Sequence, residues 1–414
     1  MRRCFLLGSG AFLFPSRPVH QYVNHLEGAE TMKTYDHIVI GGGVIGCSIA
    51  YRLAKEGVSV AVFDAGKAGQ ASMAAGGMLG AQNEFERENP LLDIALESRG
   101  MFPQLRDELL SETGIDIELR TAGLMKTAAT EQDRDELRRQ YHFLSEKDPS
   151  IQWLEPEEVP EIEPCMTSQT AGAIFLEKDH QVKAPLLAQA FLKAAMNAGV
   201  HVYEETKVVR LLIQQDRIVG IDTSVGTFHA AQVTVAAGAW SSHLLADTGF
   251  SLPVIPVKGE CLSIRLAGPA PVKTVFAVDG CYIVPKRNKE MLIGATSIPG
   301  SFDTSVTARG ILSLLQRASR LLPVLSDGTI HKTWAGVRPR AADHLPIMGA
   351  HPFIGGLNIC TGHYRNGILL SPITGILMKD YINGCQETHK LLTPLAPARF
   401  SVVSGANRLG ARFL

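Results

Sequence analysis

Gly41, Gly43 and Gly46, with Asp64 roughly twenty residues further on, are residue types at a spacing that binds a dinucleotide. Gly41 allows a tight turn, Gly43 lets a pyrophosphate approach the backbone, and Gly46 lets the following helix pack close to the strand. The helix N-terminus then offers unpaired N–H groups and a positive dipole end to phosphate. Asp64 is placed to accept a bond from the adenosine ribose hydroxyl. FAD and NAD both satisfy this pattern. Arg338 is a second group able to do chemistry, set in the apolar, rigid run Trp334-Ala335-Gly336-Val337-Arg338-Pro339. That context argues for a pocket, where a guanidinium gives two parallel donors to a carboxylate. Tyr282, in a strand pattern, reads on its own as core more readily than as ligand.

The elements that must hold these residues follow from periodicity. An apolar strand pattern runs from Tyr35 to Ile40, a helical pattern from Cys47 to Glu56, and a second strand from Val60 to Phe63. The stretch Gly66 to Gly80 is rich in Gly, Ala and Ser, and more apolar than a linker, so it reads as backbone lying against a cofactor. Helices are read over 90–113, 131–147, 185–199, 307–322 and 368–383, and strands over 123–127, 171–176, 200–225 and 228–237. Residues 153–164, acidic and punctuated by proline, read as an ordered loop. Short alternating segments over 253–265 and 275–296 predict an antiparallel sheet.

The fold class is therefore α/β, with a Rossmann-like dinucleotide-binding domain (32–115, 180–250 and 334–385) interleaved with an antiparallel-sheet, α+β substrate domain (116–179 and 251–333). Residues 386–414 form a tail with little pattern. In residues 1–31, Arg2-Arg3 precede a short apolar run, Cys4 to Phe14, with the outline of a signal peptide but no clear cleavage site. The reading is that the chain proper starts at Met32.

At 414 residues, 45% hydrophobic and 20% charged, the composition is that of an ordinary globular protein. A net charge of −1 gives no bulk attraction to nucleic acid or anionic membrane, and no run is long enough for stable membrane insertion. Seven scattered cysteines without a C-x-x-C pair predict buried thiols in a reducing, cytoplasmic setting and no metal site.

Several motifs together resemble the glycine oxidases, within the D-amino acid oxidase and sarcosine oxidase family of flavoproteins. They are the opening fingerprint, Ala74 to Gly80, Pro256 to Cys261, Gly280 to Pro285, Gly294-Ala295-Thr296, Trp334 to Pro339 and Gly362 to Leu369. The likeness spans about Tyr35 to Asn383. It implies a non-covalent FAD held by Gly41, Gly43, Val44, Ile45, Gly46, Asp64, Ala65, Ala71, Ser72, Gly76, Gly77, Met78 and Val208. The C-terminal part of that site would be His363, Tyr364, Arg365, Asn366, Gly367, Ile368 and Leu369. It implies a substrate site of Arg338, Tyr282, Arg365 and Met78, the first three acting in catalysis by gripping the carboxylate and stabilising charge on the reduced ring.

The implied reaction is oxidation of the Cα–N bond of a small amino acid such as glycine, sarcosine or D-alanine, with hydride passing to flavin N5. The imine hydrolyses to an oxo acid (glyoxylate from glycine) with ammonia or an amine, or serves thiazole synthesis in thiamine biosynthesis. Molecular oxygen is the second substrate, leaving as hydrogen peroxide, and a homotetramer is the implied assembly. Gly280 and Ser297 stand where some relatives carry histidine and methionine, predicting a roomier substrate pocket. Two rivals share the motifs: a D-amino acid dehydrogenase passing electrons to a quinone, and a flavin-binding module without catalysis.

Overall fold

The computed structural model describes residues 33–167 and 170–404; the reading of residues 1–31 lies outside these. Strand Lys33–Ile40 is the centre of an eight-stranded sheet, pairing in parallel with Gly226–Val235 on one side and Val60–Phe63 on the other. Leu357–Thr361 adds in parallel beyond Gly226–Val235, and His201–Tyr203 beyond Val60–Phe63. Val60–Phe63, Leu357–Thr361 and the C-terminal parts of Lys33–Ile40 and Gly226–Val235 are buried on both faces, hence their near-continuous apolar runs. One buried polar pair crosses this sheet: His37 Nε2 lies 2.8 Å from Thr234 Oγ1.

Helices Val44–Lys55, Leu92–Thr113, Ala184–Asn197 and Gly367–Ile382 share a single core on one face of this sheet. Val44–Lys55 and Gly367–Ile382 meet so closely that a Cβ on Gly375 would run into Ser48, whose hydroxyl donates to the Ser371 carbonyl at 2.7 Å. This contact pins the strand–turn–helix unit to the C-terminal helix.

A nine-stranded sheet is built from residues 124–128, 152–154, 172–176, 254–265, 274–277, 282–285, 290–294, 298–299 and 329–341. Most of its pairs are antiparallel; Thr274–Ala277 against Leu124–Ala128 is parallel. Helix Ala308–Leu321 and Leu322 pack into the core on one face.

Three details differ from the sequence reading. Strand Thr329–Ala341 pairs along its length with Val254–Arg265, so residues 334–341 belong to this second sheet, and the boundary at 334 falls inside a strand. Within 153–164, Gln152–Leu154 is a strand against Gly172–Leu176 and Val159–Ile162 a helical turn. The tail is held as far as the described residues go: Leu392 and Leu395 are buried in the main core, and Arg399 Nε meets Asp343 at 2.8 Å.

Candidate active site

The glycine-rich turn opens on a cavity of about 780 Å³, within the ~300–1,000 Å³ typical of ligand clefts. Gly41 has φ +114°, a region L side chains avoid, and a Cβ there would strike the Ala236 carbonyl. The turn is thus pressed against the neighbouring parallel strand. Gly43, Val44 and Ile45 line the cavity. Gly46 does not; a Cβ on it would meet the Gly41 carbonyl and Val39, so it serves the helix–strand approach and not the cavity wall.

Asp64 closes the same end. Its Oδ2 accepts from the Gly42 N–H at 2.7 Å, and its Oδ1 from the Gly66 N–H and Gln70 Nε2, both at 2.8 Å. Ser72 Oγ takes the Val44 N–H at 3.0 Å, at the N-terminus of the first helix. Residues 69–78 form one wall, with a short helix at Ala71–Ala74; Ala71, Ser72, Gly76, Gly77 and Met78 all line the cavity. That wall is fastened to the second sheet by the Val337 N–H donating to Gly69 O at 2.9 Å and the Trp334 indole N–H to Ala74 O at 3.1 Å. Ala65 and Val208 border the same space.

At the far end, Arg338, Tyr282, Arg365 and Met78 all line the cavity. Arg338 reaches it from strand Thr329–Ala341, its Nη2 lying 3.4 Å from the Thr296 carbonyl. The guanidinium crosses directly over Gly259 of the adjoining strand: a Cβ on Gly259 would stand 2.6 Å from Arg338 Cζ. Gly294 gives Tyr282 its room in the same way, since a Cβ there would collide with the phenol. Tyr282 lies near-parallel to Phe276 at 6.2 Å, and its hydroxyl is 3.7 Å from Cys261 Sγ. Burial pushes the Tyr282 phenol well above its ordinary pKa, so it remains a neutral donor. Burial likewise raises the Cys261 thiol.

Arg365 differs from a free anion-binding cation. Its Nη2 donates to Glu84 Oε1 at 3.0 Å, and its guanidinium sits 5.2 Å from the Phe276 ring centre. Arg365, Phe276 and Tyr282 therefore form one column, whose two ends line the cavity while Phe276 between them is buried. The side chain is 39% exposed, and Glu84 raises its pKa further.

His363 is buried, its Nε2 3.2 Å from Thr374 Oγ1, and burial pushes it down to about 4, so the ring is neutral near pH 7. Tyr364, Asn366, Gly367 and Ile368 line the cavity with it. Leu369 does not. It points into the helical core, 1% exposed, because it occupies the inward face of helix Gly367–Ile382.

Gly280 and Ser297 border the cavity, as do Asp279 and Arg317, an ion pair at 2.6 Å. The sequence reading missed Glu84, and it had Gly259 and Gly294 within its motifs without giving either a role. Glu84 lies four residues beyond a segment the reading had already singled out, yet its partner Arg365 is far along the chain. Among the described residues no group of three or more His, Cys, Asp or Glu is placed to hold a metal ion.

The arrangement fits FAD. The turn whose glycines admit no side chain, the first helix's N-terminus and Asp64 suit an adenosine diphosphate; the small-residue wall suits a flat ring. Comparison with known proteins agrees. A family model described as FAD dependent oxidoreductase (DAO) matches residues 36–381. The chain is 46% identical over 367 residues to a glycine oxidase of Geobacillus kaustophilus, covering 88% of this chain and 97% of that one. It is 35% identical to a bifunctional protein ThiO/ThiG of Trichormus variabilis, covering 89% of this chain and 55% of that protein. The crystal structure of the Geobacillus kaustophilus glycine oxidase superposes with a TM-score of 0.84 at 45% identity, covering 89% of this chain and 99% of the other.

Proposed function

We propose that this chain, which belongs to the FAD dependent oxidoreductase family, oxidises glycine and other small amines with molecular oxygen as acceptor. The reading rests on one observation: the glycine-rich turn and the Arg338 guanidinium open on a single cavity. FAD, when bound, supplies the acceptor that takes hydride from the substrate carbon and returns the electrons to oxygen as hydrogen peroxide.

The protein's contribution is orientation and electrostatics. Arg338 offers two parallel N–H donors to the substrate carboxylate, and the neutral Tyr282 hydroxyl adds a third. Arg365, with the N-terminus of helix Gly367–Ile382, puts positive potential where negative charge grows on the ring. At the other end, Asp64 faces the ribose. Ser72, having accepted the Val44 N–H, keeps its own proton to offer to a phosphate oxygen. The released imine hydrolyses to an oxo acid and ammonia or an amine. Supply of that imine to thiazole synthesis is read beside the relative in which a similar chain is fused as ThiO/ThiG. The six cysteines of the described residues are all free, which supports a cytoplasmic setting, and a homotetramer is the assembly this reading carries. Among the described residues no helix is long and apolar enough to cross a membrane.

Anaerobic mixing of the FAD-loaded protein with glycine, sarcosine and D-alanine bleaches the flavin band if the reading holds. Admission of air then restores the band and yields one hydrogen peroxide per amine. Bleaching without peroxide would move the assignment to a quinone-linked dehydrogenase. No bleaching by any of the three would leave a binding module.

A further inference from the structure

Between Gly80 and Glu86 the chain forms a loop that brings one acid, Glu84, to the cavity. Loops of this kind ordinarily run over the surface with their polar groups in water. This one is held from beneath by buried side chains of three helix, strand and turn elements. Gln140 of helix Glu131–Ser145, 2% exposed, shares its two Nε2 hydrogens among three carbonyls of the loop: Gln82 O and Asn83 O at 3.3 Å and Phe85 O at 3.0 Å. Its Oε1 accepts from Lys126 Nζ at 2.6 Å. From the other side, Asp179, fully buried, accepts the Asn83 N–H at 2.8 Å and the Gln82 N–H at 3.2 Å, and is paired with Arg99 at 2.6 Å.

The backbone on both sides of Glu84 is thus fixed by amide and charged groups removed from water, where a broken hydrogen bond leaves an orphaned partner. Gly80 to Asn83 and Phe85 are themselves buried, so the loop's amides and carbonyls are paired with protein groups in place of water. What it secures is the position of one carboxylate, whose Oε1 receives Arg365 Nη2 at 3.0 Å. Arg365 is in turn seated on Phe276, and Phe276 on Tyr282.

We infer that Gln140, together with Asp179, is a positioning residue for substrate binding: it holds the 80–86 loop so that Glu84 sets the Arg365 guanidinium over the Phe276–Tyr282 column. The inference deepens the proposed function and rests on it for the identity of the substrate. Gln140 touches neither substrate nor cofactor; its influence passes through Glu84. Glu84 fixes the direction of the Arg365 guanidinium, leaving Arg338 as the main anchor and Arg365 as an oriented second donor.

A double-mutant cycle on the FAD-loaded protein tests this. The variants are Gln140→Leu, Glu84→Gln and both together. Asp179→Asn is added as a second way to loosen the loop, since it keeps one acceptor oxygen. Two quantities are read: the dissociation constant of acetate, from its perturbation of the flavin spectrum, and the KM and kcat for glycine. Each single variant weakens acetate and raises KM about tenfold, the scale of one lost hydrogen bond to a charged group, with kcat within about twofold. The double variant is no worse than the poorer single one, because both act through the same carboxylate. Independent effects, multiplying to roughly a hundredfold, or an unchanged acetate constant in both Gln140→Leu and Asp179→Asn, would overturn the inference. If wild-type flavin is not reduced by glycine, the amine oxidase reading fails separately, and the acetate cycle still decides the role of the loop.

Discussion

Gly259→Ala isolates the position of one guanidinium from its chemistry. The substitution leaves Arg338 in place and adds a single methyl group to the strand beneath it. That methyl would stand 2.6 Å from Arg338 Cζ, and 3.1 Å from the Thr296 carbonyl on the other side. Ordinary contact begins at 3.4 Å, so the guanidinium must retreat by about 0.8 Å at Cζ and by more at Nη2, which stands nearer still, or ~1 Å in all. The backbone of Gly259 cannot yield instead, because it is paired across to Gly336 in the register that joins strands Val254–Arg265 and Thr329–Ala341. A shift of ~1 Å in a group that orients a substrate costs on the order of a hundredfold in rate, or about 2.7 kcal/mol of transition-state stabilisation. The assay is anaerobic reduction of the flavin by glycine in stopped flow, giving kcat/KM, with thermal midpoint and FAD content measured alongside. Gly100→Ala is the control, since a Cβ there meets nothing within 4 Å, and its kcat/KM stays at the wild-type value. If Gly259→Ala keeps kcat/KM within about twofold while folded and loaded with FAD, Arg338 does not anchor the carboxylate from the position described.

Further outcomes are expected. Arg338→Lys replaces a two-pronged donor by a point charge and lowers kcat/KM for glycine by roughly one to two decades, as loss of a charge-assisted hydrogen bond would; a change under threefold counts against the carboxylate clamp. The open space at Gly280 and Ser297 makes kcat/KM for sarcosine comparable to that for glycine; a glycine preference above about a hundredfold, near the scale of steric selection, would contradict it. Trichloroacetic acid releases the yellow chromophore into the supernatant, because the cavity-lining thiols, Cys261 and Cys360, are raised by burial and poorly nucleophilic; colour in the pellet would refute a non-covalent FAD. His37 and His363 are pushed down to about 4 by burial, below the ~6.5 of an unfolded chain. The unfolded state therefore binds the extra protons. Stability is full above pH ~6.5 and falls as the pH drops toward 4, by roughly 3 kcal/mol for each histidine at the low end. Urea midpoints that stay flat between pH 7 and pH 5 would oppose this.

The parts of the molecule that were legible in the sequence are those whose signal is local. The strand from Lys33, the helix from Val44 and the strand closing on Asp64 are read directly from apolar runs and glycine spacing, because a short contiguous segment carries all three. The wall over residues 69–78 was legible too, through its run of small side chains. Arg338, Tyr282 and Arg365 were singled out through resemblance as much as through their surroundings. Periodicity does not report what stands across a strand. Gly259 and Gly294 matter because of Arg338 and Tyr282 on neighbouring strands, and that depends on a register set by long-range pairing. Glu84 was missed for the same reason: its partner is brought to it by the C-terminal helix and its preceding turn. Residues 152–154 looked like loop because proline and acid surround them. Their pairing with Gly172–Leu176, and Arg138 stacked 3.6 Å over Trp153, decide otherwise. Leu369 was assigned to the cavity with its neighbours, but one step around a helix turns a side chain by ~100°, enough to face the core.

The order of strands in the first sheet also governs how the protein can be made. Its middle strand, Lys33–Ile40, is made well before its parallel neighbour Gly226–Val235, and the next strand out, Leu357–Thr361, comes later still. Until Gly226–Val235 has emerged, the middle strand has one bare edge, and until Gly367–Ile382 follows, its apolar face is incompletely covered, which is the condition that invites aggregation. Such distant pairings make for slow folding. A ligand that bridges residues 41–78 and 363–368 can lock the sheet only after both stretches have been made.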